Sequence, residues 1–264
     1  MLTIREYKKA ESLDEAWQLN QKKPNRVLGG MLWMRMSRGN VNTAIDLSGL
    51  GLDTIEESEN EFKIGAMVTL RQLELHAGFT AYSGGANKEA LCHIVGVQFR
   101  NLATVGGSVF GRFGFSDVLT LLLAMDSYVE LYKGGIIPLA DFIKMKYDRD
   151  ILVRVIVKKV QARYAYQSVR VTKTDFPVLT CAAALSAEGR AQVAVGARPA
   201  KAALVCDGQG LVKLPVTAEA AETFAAYAAG LLPTETNPRG SAAYRTHLIK
   251  VLVKRCLLQL GGEA

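Results

Sequence analysis

Between residues 100 and 117 the chain reads Arg100-Asn101-Leu102-Ala103-Thr104-Val105-Gly106-Gly107-Ser108-Val109-Phe110-Gly111-Arg112-Phe113-Gly114-Phe115-Ser116-Asp117. No other stretch restricts the fold so strongly. Adjacent glycines at 106 and 107 remove two Cβ atoms, which lets backbone approach a ligand closely and admits φ > 0. Successive N–H groups in such a turn form a concave anion site. Thr104 and Ser108 flank the glycines with hydroxyls. Asp117, after a second glycine turn, can accept hydrogen bonds from sugar hydroxyls. Diphosphate plus sugar describes a nucleotide. The plainer reading of Gly-Gly among hydroxyls is a surface turn, so the rest of the chain has to decide.

Much is excluded by composition. With 264 residues, 49% hydrophobic and 22% charged, the chain has room for two domains and a large core. It contains no apolar run of about eighteen residues, so no membrane span is expected. The start, Met1-Leu2-Thr3-Ile4-Arg5-Glu6-Tyr7, lacks a signal peptide's apolar core, and the cytoplasm is the expected location. Cys92, Cys181, Cys206 and Cys256 are widely spaced and read as buried thiols, not cluster or zinc ligands. No metal site and no catalytic triad is expected. The net charge of +7 is spread along the chain without interleaved aromatics, which argues against nucleic acid and tolerates an anionic dinucleotide.

Periodicity supplies the organisation. Ser12 with Glu15 reads as a capping box opening a helix that Pro24 ends. Arg26-Val27-Leu28 reads as a short strand running into Gly29-Gly30, a second candidate phosphate cradle. Met31, Leu32, Trp33, Met34 and Met36 form an apolar cluster, read as packing beneath that loop with one or two members against a ligand. Further strands are expected at 43–47, 62–66, 128–132 and 151–157. Helices are expected after Thr69, over 90–97 and over 118–125, and Gly134-Gly135 should turn a hairpin. A boundary is placed at 159/160. Beyond it, three strands (165–171, 178–185, 192–195), an alanine-rich helix (218–229) and a final helix are expected. In the last, Ile249, Leu252, Val253, Cys256, Leu257 and Leu260 form the stripe and Gly261-Gly262 the end.

Arg100-Asn101, Ala103-Thr104-Val105-Gly106-Gly107-Ser108 and Ser116-Asp117 together resemble the flavin-binding signature of the xanthine dehydrogenase family. More narrowly, they resemble the medium, FAD-binding subunit of the molybdenum hydroxylases, a group that includes carbon monoxide dehydrogenase. Leu28-Gly29-Gly30-Met31-Leu32-Trp33 stands where that family has its first FAD loop. Lys63-Ile64-Gly65-Ala66-Met67-Val68-Thr69 and the C-terminal Tyr244-Arg245 also match, so the resemblance spans essentially the whole chain. It implies an α+β protein. A two-lobed FAD-binding domain of the PCMH (vanillyl-alcohol-oxidase-like) type occupies 1–159, with sub-lobes of about 1–57 and 58–159. A small C-terminal domain with a three-stranded antiparallel sheet and helices occupies 160–264.

The resemblance further implies noncovalent FAD held by Leu28, Gly29, Gly30, Met31, Leu32, Trp33, Ala103, Thr104, Gly106, Gly107, Ser108 and Asp117, with Leu152 as an apolar contact. Tyr166 is implied as an aromatic approaching the flavin from the C-terminal domain. Lys173 is implied as a nearby cation favouring reduced, anionic flavin. Expected partners are an iron–sulfur [2Fe–2S] subunit and a large molybdopterin-binding subunit, with an acceptor such as NAD. One departure stands out: relatives usually carry Ser or Thr just after the first Gly-Gly, and this chain has Met31 and Leu32. Two alternatives stay open at this point, a stand-alone FAD oxidoreductase and a flavin-poor scaffold subunit of such a complex.

Overall fold

The protein is described here by a computed structural model covering residues 1–261. Ser12 caps the first helix by accepting from the Glu15 N–H, and Glu15 reaches back to the Glu11 N–H at 2.7 Å. That helix, α1 (Leu13–Gln21), follows β1 (Leu2–Lys9) and precedes β2 (Arg26–Leu28), α2 (Leu32–Met36) and β3 (Gly39–Asp46). The three strands form one sheet, order β1-β3-β2, with both pairings parallel. Strand β1 is a departure from the sequence reading. Four charges in Leu2–Lys9 and a largely exposed pattern hide it, because an edge strand buries little.

Next come β4 (Ile55–Glu57), β5 (Glu61–Gly65), α3 (Leu70–Leu75), α4 (Ala77–Tyr82), α5 (Ala86–Leu91), α6 (Val97–Arg100), α7 (Val105–Phe110) and α8 (Asp117–Leu123). Then follow β6 (Ser127–Leu131), β7 (Gly135–Pro138), α9 (Leu139–Phe142) and β8 (Leu152–Lys158). The strands make an antiparallel sheet in the order β4-β5-β8-β6-β7. A border at 57/58 therefore falls inside the β4–β5 hairpin. Thr69 caps α3 through a full capping box with Gln72. The helix expected over 90–97 is broken in two. Val95 adopts φ 50°, and buried Arg100, paired to Glu74 at 2.8 Å, donates to the carbonyls of Cys92 and Ile94. Every residue of α8 is buried, and α8 packs on the third sheet.

That sheet comprises β9 (Ala162–Arg170), β10 (Pro177–Ser186), β11 (Ala191–Gly196) and β12 (Ala203–Cys206), antiparallel in the order β12-β11-β10-β9. It has four strands, not three. The added β12 is four residues long, too short to show alternation. Helices α10 (Ala218–Leu231) and α11 (Ala242–Gly261) cover one face. The stripe expected on α11 is buried throughout, and Arg245 is buried beside it, donating to the carbonyls of Val178, Ala197, Glu235 and Gly240. Gly261 is still helical, and Gly262 lies outside the described residues.

Candidate cofactor site

The two glycine loops interlock. A Cβ on Gly29 would lie 2.9 Å from Thr104 Oγ1, and one on Gly30 would lie 1.9 Å from the Leu102 carbonyl oxygen. Gly106 seats against the end of β5, where a Cβ would meet the Ala66 oxygen at 2.6 Å. None of these four central glycines has positive φ. Gly30 and Gly106 serve close approach of backbone to backbone, Gly29 and Gly107 sit beside the Thr104 hydroxyl, and the φ > 0 that glycine permits at 106–107 is not used. Gly106 and Gly107 instead lie in the first turn of α7, capped by Thr104.

Counting donors sharpens the correction. The Gly106 N–H goes to the Ala66 carbonyl at 2.9 Å, and the Gly107 N–H to Thr104 Oγ1 at 3.1 Å. Ser108 donates its N–H and its hydroxyl to the Thr104 carbonyl. The second loop's donors are thus committed within the chain. In the first loop, the N–H groups of Gly29, Gly30 and Met31 find no acceptor among the described residues. Met31 takes the left-handed conformation (φ 58°) and begins α2 without a side-chain cap.

Two cavities, of about 300 and 520 Å³, meet at this junction, and Gly29, Thr104 and Gly107 border both. These are volumes typical of small-molecule sites. Leu32, Trp33, Ala103, Ser108, Asp117 and Arg170 line the first. Leu28, Met34, Gly106 and Leu152 line the second.

Asp117 is the charged anchor of the first cavity. As the first residue of α8 it sits at a helix N-terminus, where a negative charge is favoured. Its Oδ1 accepts from the Tyr166 hydroxyl at 2.5 Å and from Arg170 Nη2. Arg170 Nη1 donates to the Asp175 carbonyl, while its buried Nε has no partner among the described residues. Burial pushes the Asp117 carboxyl up to about 6, with Arg170 and Tyr166 holding it from rising further. Asp117 therefore ties β9 of the third sheet to the glycine-loop domain.

Models of two families cover this architecture from end to end. Residues 3–161 match the FAD binding domain in molybdopterin dehydrogenase, and residues 164–260 match the CO dehydrogenase flavoprotein C-terminal domain. The chain belongs to the molybdopterin-dehydrogenase FAD-binding family. It is 26% identical to the uncharacterized protein YgfM of Escherichia coli (strain K12) over 254 residues, 95% of this chain and 94% of that one. Solved structures share the fold. A chain of quinoline 2-oxidoreductase from Pseudomonas putida 86 superposes with TM-score 0.84 at 23% identity, covering 97% of this chain and 96% of that one. A chain of carbon monoxide dehydrogenase from Hydrogenophaga pseudoflava, in a form lacking the Mo-pyranopterin moiety, gives 0.83 at 22%, covering 97% and 96%. For CO dehydrogenase from Oligotropha carboxidovorans the values are 0.85 and 21%, covering 98% of each chain.

Within this FAD-binding family member, Tyr166 and Lys173 lie off both cavities, and Trp33 lines the first with its ring already engaged. The ring of Tyr166 is buried in the main core and its hydroxyl is held by Asp117, so it lines neither cavity. Lys173 is exposed and also lines neither, because the turn after β9 directs Thr174, Asp175 and Phe176 to the cavity instead. Trp33 does line the first cavity, but its ring already stacks on Phe176 at 5.4 Å and contacts Phe115 at 5.8 Å. Met31 and Met34 pack beneath the loop against Leu28, Val41 and Ala44, Leu32 packs on the main core, and Met36 is exposed. Phe113 and Phe115 line the first cavity without a role given to them in the sequence reading, while Arg170 and Phe176 belong to the 170–176 turn that the family resemblance marks as approaching the flavin. Strand parity carried one signal: Tyr166 and Arg170 are four apart on β9 and share a face.

Proposed function

We propose that this chain is the FAD-carrying electron-transfer subunit of a molybdopterin-dependent hydroxylase or dehydrogenase working in the cytoplasm. It passes electrons between an iron–sulfur [2Fe–2S] subunit and an acceptor such as NAD, while a large molybdopterin-binding subunit oxidises the substrate. The observation that carries this reading is the set of unpaired N–H groups at Gly29, Gly30 and Met31, at the point where two cavities meet. Such donors suit a diphosphate bridging the two halves of a dinucleotide.

Bound FAD would supply the redox chemistry, since nothing in the protein side chains does. The first loop's N–H groups would hold the diphosphate. Thr104, Ala103, Gly107 and Ser108 would form the opposite wall, with Gly106 serving to seat that wall on Ala66. Leu28, Leu32, Trp33 and Leu152 would give apolar contact. Asp117, oriented by Tyr166 and Arg170, would accept from a ligand hydroxyl through its second oxygen. Lys173 would act only at long range. Among the described residues the cysteines do not gather into a cluster-binding set, which supports placing the iron–sulfur centres on a partner.

One observation favours a second reading, a scaffold subunit with little flavin: Met31 and Leu32 bring no hydroxyl to the loop. A single experiment separates the two. The native assembly is captured through this chain and analysed for molybdenum, iron and flavin. The proposal expects all three, with about one FAD per copy. Molybdenum and iron without flavin would establish the scaffold reading, and absence of both metals would overturn membership in such a complex.

A further inference from the structure

A cluster of donors lies at the rim of the first cavity, apart from the residues assigned to the cofactor. Glu89, Cys92 and His93 place one donor atom each within 4.8 Å of one another. Glu89 lies in the short helix α5, Cys92 is its C-cap, and His93 follows in the turn that leaves the helix. His93 also lines the cavity.

Two observations show that the cluster is held and incompletely satisfied. First, Arg100 donates from Nη1 to the carbonyls of Cys92 and Ile94, both at 3.1 Å, and is itself anchored by Glu74. The turn carrying the two ligands is thus fixed from behind, as outer contacts fix ligands in metal sites. Second, His93 Nδ1 is buried with no hydrogen-bond partner among the described residues. A buried ring nitrogen with nothing to bond is a cost that a ligand would remove.

We propose that Glu89, Cys92 and His93 form a binding site for a Zn²⁺-class transition-metal ion at the cavity rim. The donor set selects the class: thiolate and imidazole favour late first-row ions over Mg²⁺ or Ca²⁺. Three protein ligands leave a fourth position for water. In tetrahedral zinc sites the donor atoms stand about 3.3–3.6 Å apart, given bonds of about 2.0–2.3 Å. Arg170 and Lys173 place positive charge near His93. Glu89 and a Cys92 thiolate bring two negative charges, which attract the dication against the repulsion of Arg170 and Lys173. Binding releases the Cys92 thiol proton to solvent.

The test uses the full chain, reduced and stripped of metal, titrated with Zn²⁺ by calorimetry and with Co²⁺ by absorption. One equivalent should bind, and Co²⁺ should produce a thiolate-to-metal charge-transfer band. Loss of an outer-shell partner commonly weakens metal binding about 10–100-fold, so loss of a ligand should do at least as much. Cys92→Ser should abolish the band and lower Zn²⁺ affinity about 100-fold, and His93→Ala should lower it at least about tenfold. Cys206→Ser, at an exposed thiol elsewhere, should leave both unchanged. If Cys92→Ser does not fold by circular dichroism, Glu89→Gln and His93→Ala carry the test. No band, a band that survives Cys92→Ser or His93→Ala, or a band lost with Cys206→Ser would overturn the site.

Discussion

The Tyr166 hydroxyl donates to Asp117 Oδ1 across 2.5 Å, and Arg170, four residues along the same strand, donates to the same oxygen. One carboxylate oxygen therefore joins the first residue of α8 to β9. All three side chains are nearly inaccessible, so water cannot replace a missing partner. A buried hydrogen bond to a charged group contributes roughly 1.5–3 kcal/mol. Tyr166→Phe removes the hydroxyl and keeps the ring. It should lower unfolding stability by about that amount in urea titrations, and a loss under about 0.5 kcal/mol would show that the clasp is idle.

The same carboxylate sets a pH dependence. Burial raises its pKa to about 6 in the folded chain, above the ordinary carboxylate range. The folded state thus holds the proton more tightly than the unfolded state. The stabilisation is fully present below about pH 4 and is lost as pH rises through about 6. A shift of roughly two units corresponds to roughly 3 kcal/mol. Wild type should therefore lose stability relative to Asp117→Asn between pH 4 and 6.5, and the difference should stay constant above about pH 7. Urea midpoints at six or more pH values would show it. A difference that does not change across the acid range would contradict the shifted carboxyl.

The first loop offers a gain-of-affinity test. Leu32 lines the first cavity at the start of α2, where a hydroxyl could reach a bound diphosphate. A hydrogen bond to a charged group of roughly 1.5–3 kcal/mol corresponds to about ten- to a hundredfold in affinity. Leu32→Ser should tighten FAD binding by at least part of that range. Met31→Thr should not, because Met31 has φ 58° and a β-branched residue is strained there. Unchanged affinity for Leu32→Ser in a fluorescence titration would show that the missing hydroxyl does not limit binding.

The glycines of the second loop should separate by substitution. A Cβ at 106 meets the Ala66 backbone oxygen at 2.6 Å, while one at 107 meets only Thr104 Oγ1, at 3.1 Å. Overpacking against backbone costs about 1–3 kcal/mol or more. Gly106→Ala should therefore lower the melting temperature clearly, and Gly107→Ala much less. The reverse order would refute the packing role assigned to Gly106.

These residues also show what the sequence could reveal. Strands with near-continuous apolar runs, such as Leu152–Lys158, and helices with a clear stripe, such as α11, were legible because burial imposes a period. The glycines at 29, 30, 106 and 107 are legible in the sequence as places where the backbone can come close to a neighbour. Gly-Gly signals a backbone that must come close to something, and only the fold shows that the neighbour is the second loop for Gly29 and Gly30 and Ala66 for Gly106. The setting of Tyr166 is hidden in the sequence for a similar reason. An aromatic on an alternating strand has a face, but the partner of its hydroxyl lies 49 positions away in sequence. Edge strands β1 and β12 bury too little to leave a pattern.

The central claim is that the loop junction holds FAD, noncovalently and through the Asp117 wall. Titrating FAD into the flavin-free full chain, followed by flavin fluorescence, tests it most directly. Asp117→Ala serves as the site variant, checked for folding by circular dichroism. Asp141→Ala serves as the control, at an exposed residue of α9 paired only with Lys144. The account predicts saturable binding of one FAD per chain, with all flavin released into the supernatant on acid precipitation. Affinity should fall at least about tenfold for Asp117→Ala, the loss of one hydrogen bond to a charged group, and should not change for Asp141→Ala. The absence of saturable binding, or equal affinities for the two variants, would contradict it.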